Sequence, residues 1–169
     1  RPFFGFLWLL ILPFCTAFIY KILFSDFMHA ASGKYPFFIH LITALLPWSY
    51  FSSSIQGSVK SVLDSRSMIN QISFPKCLLP ISTVIAGLIN FLPSIIVLLG
   101  FLMVFHIKIS IFIVFLPFVI LIQTCMTIGV SLLVASLEVI YRDVEYALQV
   151  ILMALLFLTP AVYTLEELI

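Results

Sequence analysis

Charge is what this chain lacks most. Asp, Glu, Lys and Arg together make up 9% of its 169 residues, where an ordinary soluble domain carries about 25%. With 63% hydrophobic residues, 15% aromatic residues and a mean hydropathy of +1.28, the composition excludes a soluble domain and points to an integral membrane protein. The net charge of +1 comes with no cluster of Lys and Arg, which sets nucleic acid aside as a partner. Cysteine is scarce: Cys15, Cys77 and Cys125 lie far apart, with no CxxC or Cys/His spacing able to close around a metal. They read as small apolar packing residues. No GxxxxGK[ST] occurs anywhere, so the chain has no phosphate-binding loop of its own. Internal repeats, low-complexity segments and any sign of a second domain are absent as well.

What the sequence does have is long apolar runs. A helix crossing a bilayer needs about 20 mostly apolar residues, and five runs qualify: about Phe3 to Phe24, Pro36 to Ser58, Cys77 to Phe105, Ile109 to Leu137, and Tyr146 to Tyr163. None alternates with period two, and each is about twice a barrel strand in length, so helices are the spanning form that satisfies their backbone. The expected fold is all-α, a polytopic helical bundle forming a single transmembrane domain over residues 1–169. Kinks are expected at Pro13, Pro47, Pro93 and Pro117. The opening Arg1-Pro2 runs straight into Phe3 to Tyr20, too long and too aromatic for the core of a signal peptide. With no Met ahead of it, a preceding segment is expected.

Lys and Arg set the orientation. With Arg1 cytoplasmic, Lys60, Arg66, Lys76 and Arg142 share its side, and Lys21, Lys34 and Lys108 fall on the other. Residues 25–35 and 106–108 then face outward, while the polar island Lys60 to Lys76 and the stretch Glu138 to Glu145 face the cytoplasm. In the island, Val59, Val62, Ile69 and Ile72 recur at helical spacing, with Lys60, Asp64, Ser67, Asn70 and Gln71 mostly elsewhere on the wheel. Two readings fit this pattern, an amphipathic helix along the membrane surface that could dock something soluble, and an ordinary cytoplasmic loop. Pro75 would end such a helix, and Pro80 suits the first turn of the next span. In the second stretch, Glu138 and Arg142 are four apart and would pair on one helical face, although a solvated turn fits equally well.

Inside the runs, Asn90 and Gln123 are expected to hydrogen-bond to neighbouring helices. Ser82 with Ala86, and Ser131 with Ala135, have the four-residue spacing of small residues that lets helices approach closely. His40 could sit in a polar pathway, although a lone histidine near a span end is more often interfacial; His29 and His106 are loop residues with no second ligand nearby, and no metal site is expected.

Three groups of residues carry a resemblance. Leu46-Pro47-Trp48-Ser49-Tyr50-Phe51-Ser52, then Ser65-Arg66-Ser67-Met68-Ile69-Asn70, then Phe74-Pro75-Lys76-Cys77-Leu78-Leu79-Pro80 resemble the type-2 ABC exporter permeases of bacterial polysaccharide export. Those permeases move O-antigen, capsular polysaccharide or teichoic acid. The later Leu133 to Leu137, Tyr141-Arg142-Asp143-Val144 and Leu158-Thr159-Pro160-Ala161-Val162-Tyr163 are similar to the same family's fourth and fifth spans. Because family members have six spans and an amphipathic N-terminal helix, the resemblance implies that this chain is a fragment lacking that helix and the sixth span.

The resemblance also implies a mechanism. Two permease subunits pair in the membrane, and each binds a separate cytoplasmic ATPase subunit, which holds ATP and Mg, through a coupling helix between spans two and three. On this chain that helix covers about Lys60 to Phe74, with Lys60, Asp64, Arg66, Asn70, Phe74, Pro75 and Lys76 as the coupling residues. Glu138, Arg142 and Asp143 would form a second cytoplasmic contact or brace the first. The chain would then be a transport subunit of the bacterial inner membrane, holding no cofactor, and not an enzyme. Aromatic side chains are dense in the first span, and Trp8, Phe14 and Phe18 are candidates to line a path for sugar rings or lipid tails. Packing against lipid explains the same rings equally well.

Two other functions fit less of the sequence. A type-2 exporter of a drug, lipid or other small amphiphile would share the layout. A membrane-embedded sugar or lipid transferase would need carboxylates, histidines or basic groups gathered at one interface. Here Asp64, Glu138, Asp143 and Glu145 are few, with no DxD or HxxxD pattern.

Overall fold

A computed structural model describes residues 37–64, 75–104, 111–141 and 143–158, together with positions 11, 15, 18, 19 and 22. Every regular element among these residues is helical. Helix α1 is Phe37–Asp64, α2 is Leu78–Val104, α3 is Leu116–Ile140, preceded by a short 3-10 segment Ile111–Phe115, and α4 is Val144–Leu158.

Among the described residues, two helical stretches are long and apolar enough to cross a membrane, Leu78–Gly100 and Ile113–Ile140. They match the third and fourth runs of the sequence. Helix α1 has the length, 28 residues, but Ser49, Ser52, Ser53, Ser54 and Ser58 dilute its apolar character. The described part of the fifth run, 146–158, lies within the 15-residue α4. The first run lies outside the described residues apart from its five isolated positions.

Several boundaries differ from expectation. The sequence reading ends the second span at Ser58 and starts a separate coupling helix near Lys60, whereas α1 continues unbroken to Asp64. Nothing between Ser58 and Asp64 is a helix breaker, and Lys60, Ser61 and Leu63 propagate a helix readily. Residues 65–74 lie outside the described residues, so what is described of the coupling segment is the end of a longer helix. At the other end of the bundle's sequence, α3 runs to Ile140, three residues past the expected Leu137, and so takes Glu138 into its last turn.

The prolines divide by position. Pro47 lies inside α1 and Pro93 inside α2. Pro117 instead sits at the start of α3, where a missing N–H costs nothing, so it opens a helix rather than kinking one. Pro80 falls in the first turn of α2, as expected, and the chain enters that helix through a turn in which Leu78 N–H donates to the Pro75 carbonyl at 3.0 Å.

Hydroxyls along these helices are mostly satisfied by their own backbone. Ser58 donates to Ser54 O at 2.7 Å, Thr83 to Leu79 O at 3.0 Å, Thr124 to Ile120 O at 2.8 Å and Thr127 to Gln123 O at 2.7 Å. This back-bonding removes the penalty of carrying a hydroxyl out of water. Large apolar side chains face outward in number, Ile96, Ile111, Phe118, Leu133 and Met153 among them. In water such a surface would be an aggregation liability, while in hydrocarbon it is the solvent-compatible face. Cys15, Cys77 and Cys125 are exposed. The chain is a helical membrane protein.

The fold divides into two compact units. In the first, formed from 1–49, 90–109 and 156–169, the described core is Leu41, Ile42, Leu45 and Leu46 of α1 with Phe91, Ile95 and Leu98 of α2, all buried. In the second, Tyr50–Ile89 with Ser110–Leu155, the buried residues are Tyr50, Ile55, Val59 and Val62 of α1, Val84 of α2, Ala135 of α3, and Leu148 and Leu152 of α4. Within each helix most of these residues recur three or four positions apart, the stripe a helix presents to its neighbours. The second unit also buries polar groups, Ser54, Ser58, Thr127, Ser131 and Glu138.

Candidate functional site

Both polar stretches that the sequence places in the cytoplasm have their described residues in the second unit. On the last turns of α1, Val59 and Val62 are buried while Lys60 and Asp64 are exposed. The rest of the pattern read from the sequence, Ser67, Ile69, Asn70, Gln71 and Ile72, lies outside the described residues. Pro75 and Lys76 are exposed just ahead of α2. Arg66, Asn70 and Phe74 lie outside the described residues. Lys60, Asp64, Pro75 and Lys76 therefore offer a cation, an anion, a rigid turn and a second cation to whatever meets this end of the chain.

Three contacts hold α1 and α2 together next to that end. A Cβ added at Gly57 would sit 2.9 Å from Thr83 Cγ2. One added at Gly87 would collide with Ser54 Oγ and lie 3.3 Å from Tyr50 Cε2. Ser58 Oγ is 3.4 Å from the Pro80 carbonyl. As the position falls along α1 from 58 to 57 to 54, its partner rises along α2 from 80 to 83 to 87, so these half-helices run antiparallel, backbone close to backbone. Glycine is required at 57 and 87 because a side chain there would meet the facing helix. Sequence spacing pointed instead to Ser82 and Ala86, which are exposed; the contacting pair, Thr83 and Gly87, is one position further round the wheel. Ser131 and Ala135 are buried, in keeping with the close packing expected of them.

Helix α1 also meets α3. Tyr50 Oη donates to Thr124 Oγ1 at 3.3 Å. Ser54 Oγ and Ser131 Oγ are buried with no hydrogen-bond partner among the described residues. Asn90, expected to bond to a neighbouring helix, has an exposed side chain.

Glu138 departs most from its expected surroundings. It is 1% exposed, and its Oε2 accepts the backbone N–H of Glu145 at 3.0 Å. Glu145 lies in the first turn of α4, so a carboxylate at the end of α3 caps the helix that follows. The chain turns between them at Tyr141, extended at φ −121°, ψ 110°, whose N–H donates to Leu137 O at 2.8 Å. A negative charge suits the N-terminal end of a helix. Oε1 of the same carboxylate has no partner among the described residues. Glu138 thus braces the corner from within, while Asp143 is exposed. Arg142 lies outside the described residues. Periodicity carried a signal for this inward position that the sequence reading did not use: Thr127, Ser131, Ala135 and Glu138 lie on one helical stripe.

Of the candidate path-lining residues, Trp8 and Phe14 lie outside the described residues, and Phe18 is 55% exposed. No group of three or more His, Cys, Asp or Glu able to hold a metal occurs among the described residues.

No protein-family model matches the chain. Individual proteins do. The O-antigen export system permease protein RfbA of Myxococcus xanthus is 32% identical over 164 residues, covering 97% of this chain and 62% of that protein. Two proteins of the same name from Klebsiella pneumoniae are 31% identical over 161 residues and 32% identical over 160, covering 95% and 94% of this chain and 61% of each relative. The chain thus spans about three fifths of the length of the curated relatives it matches. By sequence, along nearly all of its own length, the chain is similar to the permease proteins of O-antigen export systems.

Proposed function

We propose that this chain is the membrane-spanning part of a permease subunit in an ATP-driven exporter that carries polysaccharide, or glycan joined to lipid, across the bacterial inner membrane. The observation that carries this reading is the alignment to three O-antigen export permeases over 94% or more of the chain. The physical features agree with it. The apolar helices suit a bilayer, and one compact unit gathers exposed charges at the Lys60 to Lys76 connection and at the α3–α4 corner. With no phosphate loop in the sequence, ATP is bound in trans by a cytoplasmic ATPase subunit. Lys60, Asp64, Arg66, Asn70, Phe74, Pro75 and Lys76 are its docking residues, and Asp143 with Arg142 forms the second contact, braced by Glu138. Two copies of the permease enclose the path, with Trp8, Phe14 and Phe18 on its wall.

In this reading the ATPase changes shape on binding and hydrolysing ATP, and its movement biases the membrane helices between two packings. The test is Asp64→Ala combined with Arg66→Ala, scored by co-purification of the ATPase and by glycan at the cell surface. Loss of an interface contact worth about 1.4 kcal/mol weakens the complex about tenfold, and export falls with it. Undiminished complex formation and export would remove the docking role from this segment. For the path, Trp8→Ala and Phe18→Ala should slow export while leaving the complex intact; loss of assembly instead would make those rings packing residues.

A further inference from the structure

A push delivered to a loop moves a membrane helix only if the two are mechanically joined. The connection between α1 and α2 hangs from two helices, and a stroke applied there can either spread them or shift both together. The contacts beside the connection decide between these outcomes. Gly57 against Thr83, Gly87 against Ser54 and Tyr50, and Ser58 against the Pro80 carbonyl occupy three successive turns of α2. Gly57, Gly87 and Ser58 put little or no side chain of their own into these contacts, and a close-packed contact of this kind has little give. By contrast, a Cβ at Gly100 in α2 or Gly129 in α3 would meet nothing within 4 Å. Among the described glycines, the two that meet the facing helix closely are those in the turns nearest the connection.

We propose that Gly57, Gly87 and Ser58 are positioning residues for transport, welding the second-unit halves of α1 and α2 into one rigid lever that never opens during the export cycle. The proposal rests on the docking reading for the origin of the stroke. It goes beyond that reading in stating which helices stay together: motion is taken up by surfaces other than the one between α1 and α2.

Permanent linkage tests this. In the complete exporter, with Cys15, Cys77 and Cys125 replaced by Ala, Gly57→Cys with Thr83→Cys places two thiols across the contact, and Ser54→Cys with Gly87→Cys gives an independent pair should the first fail to fold. The expected result is that a disulfide forms at either pair in membranes, and that the oxidised exporter retains its ATPase and exports glycan at the rate of the reduced control. It should also form at equal yield in energised and ATP-depleted cells. Export that stops on oxidation and returns on reduction would overturn the proposal, as would linkage that forms in one energy state and not the other. Failure of the ATPase to co-purify with oxidised and reduced chain alike would instead defeat the docking reading, and the two linkage yields would still decide whether the helices separate.

Discussion

Glycine serves two different ends in these helices. At Gly87 the facing Ser54 Oγ and the Tyr50 ring occupy the space a Cβ would need, and Ser54 is itself buried, so neither neighbour can swing clear. Gly87→Ala should destabilise the folded protein by about 1–3 kcal/mol, the usual cost of overpacking. Gly100→Ala and Gly129→Ala meet open space and should leave stability unchanged or raise it by about 0.5–1 kcal/mol, since glycine in a helix interior is less favourable than alanine. Thermal unfolding of the three variants in one detergent checks the contrast; an equal loss at all three would mean that close approach is not what Gly87 provides. Glu138 gives a second prediction. Glu138→Ala removes a hydrogen bond to a charged group, worth about 1.5–3 kcal/mol, but also removes the unpaired Oε1. The loss should therefore be local. Hydrogen exchange should quicken at the Glu145 amide and its neighbours in the first turn of α4, with α2 unaffected, and Glu138→Gln, which keeps an acceptor oxygen, should restore much of the protection.

Helix α2 was readable almost to the residue: an expected span of 77–105 became Leu78–Val104, because Pro80 marks its first turn and charge is absent throughout. Helix α1 was legible in type but not in extent. Lys60 and Asp64 suggested a change of environment, and a change of environment is not a helix end; without glycine or proline after Ser58, hydrogen bonding simply continued. The same limit applied at Glu138, whose charge suggested a loop although the α3 backbone carries it two residues short of the helix end. Phase was the other hidden quantity. Two overlapping small pairs, Ser82 with Ala86 and Thr83 with Gly87, share one spacing, and which of them faces α1 depends on packing that no single helix encodes. Contacts of modest energy were equally hidden. Tyr50→Phe, which breaks the 3.3 Å bond to Thr124, should cost only about 0.6 kcal/mol, typical of interhelical bonds in membranes. Thr124 keeps its bond to the Ile120 carbonyl, so nothing is left unsatisfied on α3. An effect as large as that of Gly87→Ala would show that Tyr50 anchors the α1–α3 contact more strongly than its geometry implies.

Taken whole, the molecule sorts its chemistry by location. Apolar side chains cover the outward faces of α2, α3 and α4. The exposed charges among the described residues, Lys60, Asp64, Lys76 and Asp143, all belong to one compact unit. In the proposed function, this unit is where force enters from the water and from which the helices carry it into lipid. A photo-crosslinking residue placed at position 64 in actively exporting cells, combined with an impermeant label on a cysteine at the same position, tests this assignment. The account predicts that the label reaches position 64 only from the cytoplasmic side and that illumination captures a nucleotide-hydrolysing subunit. Labelling from the outer face, or illumination that captures no such subunit, would contradict it.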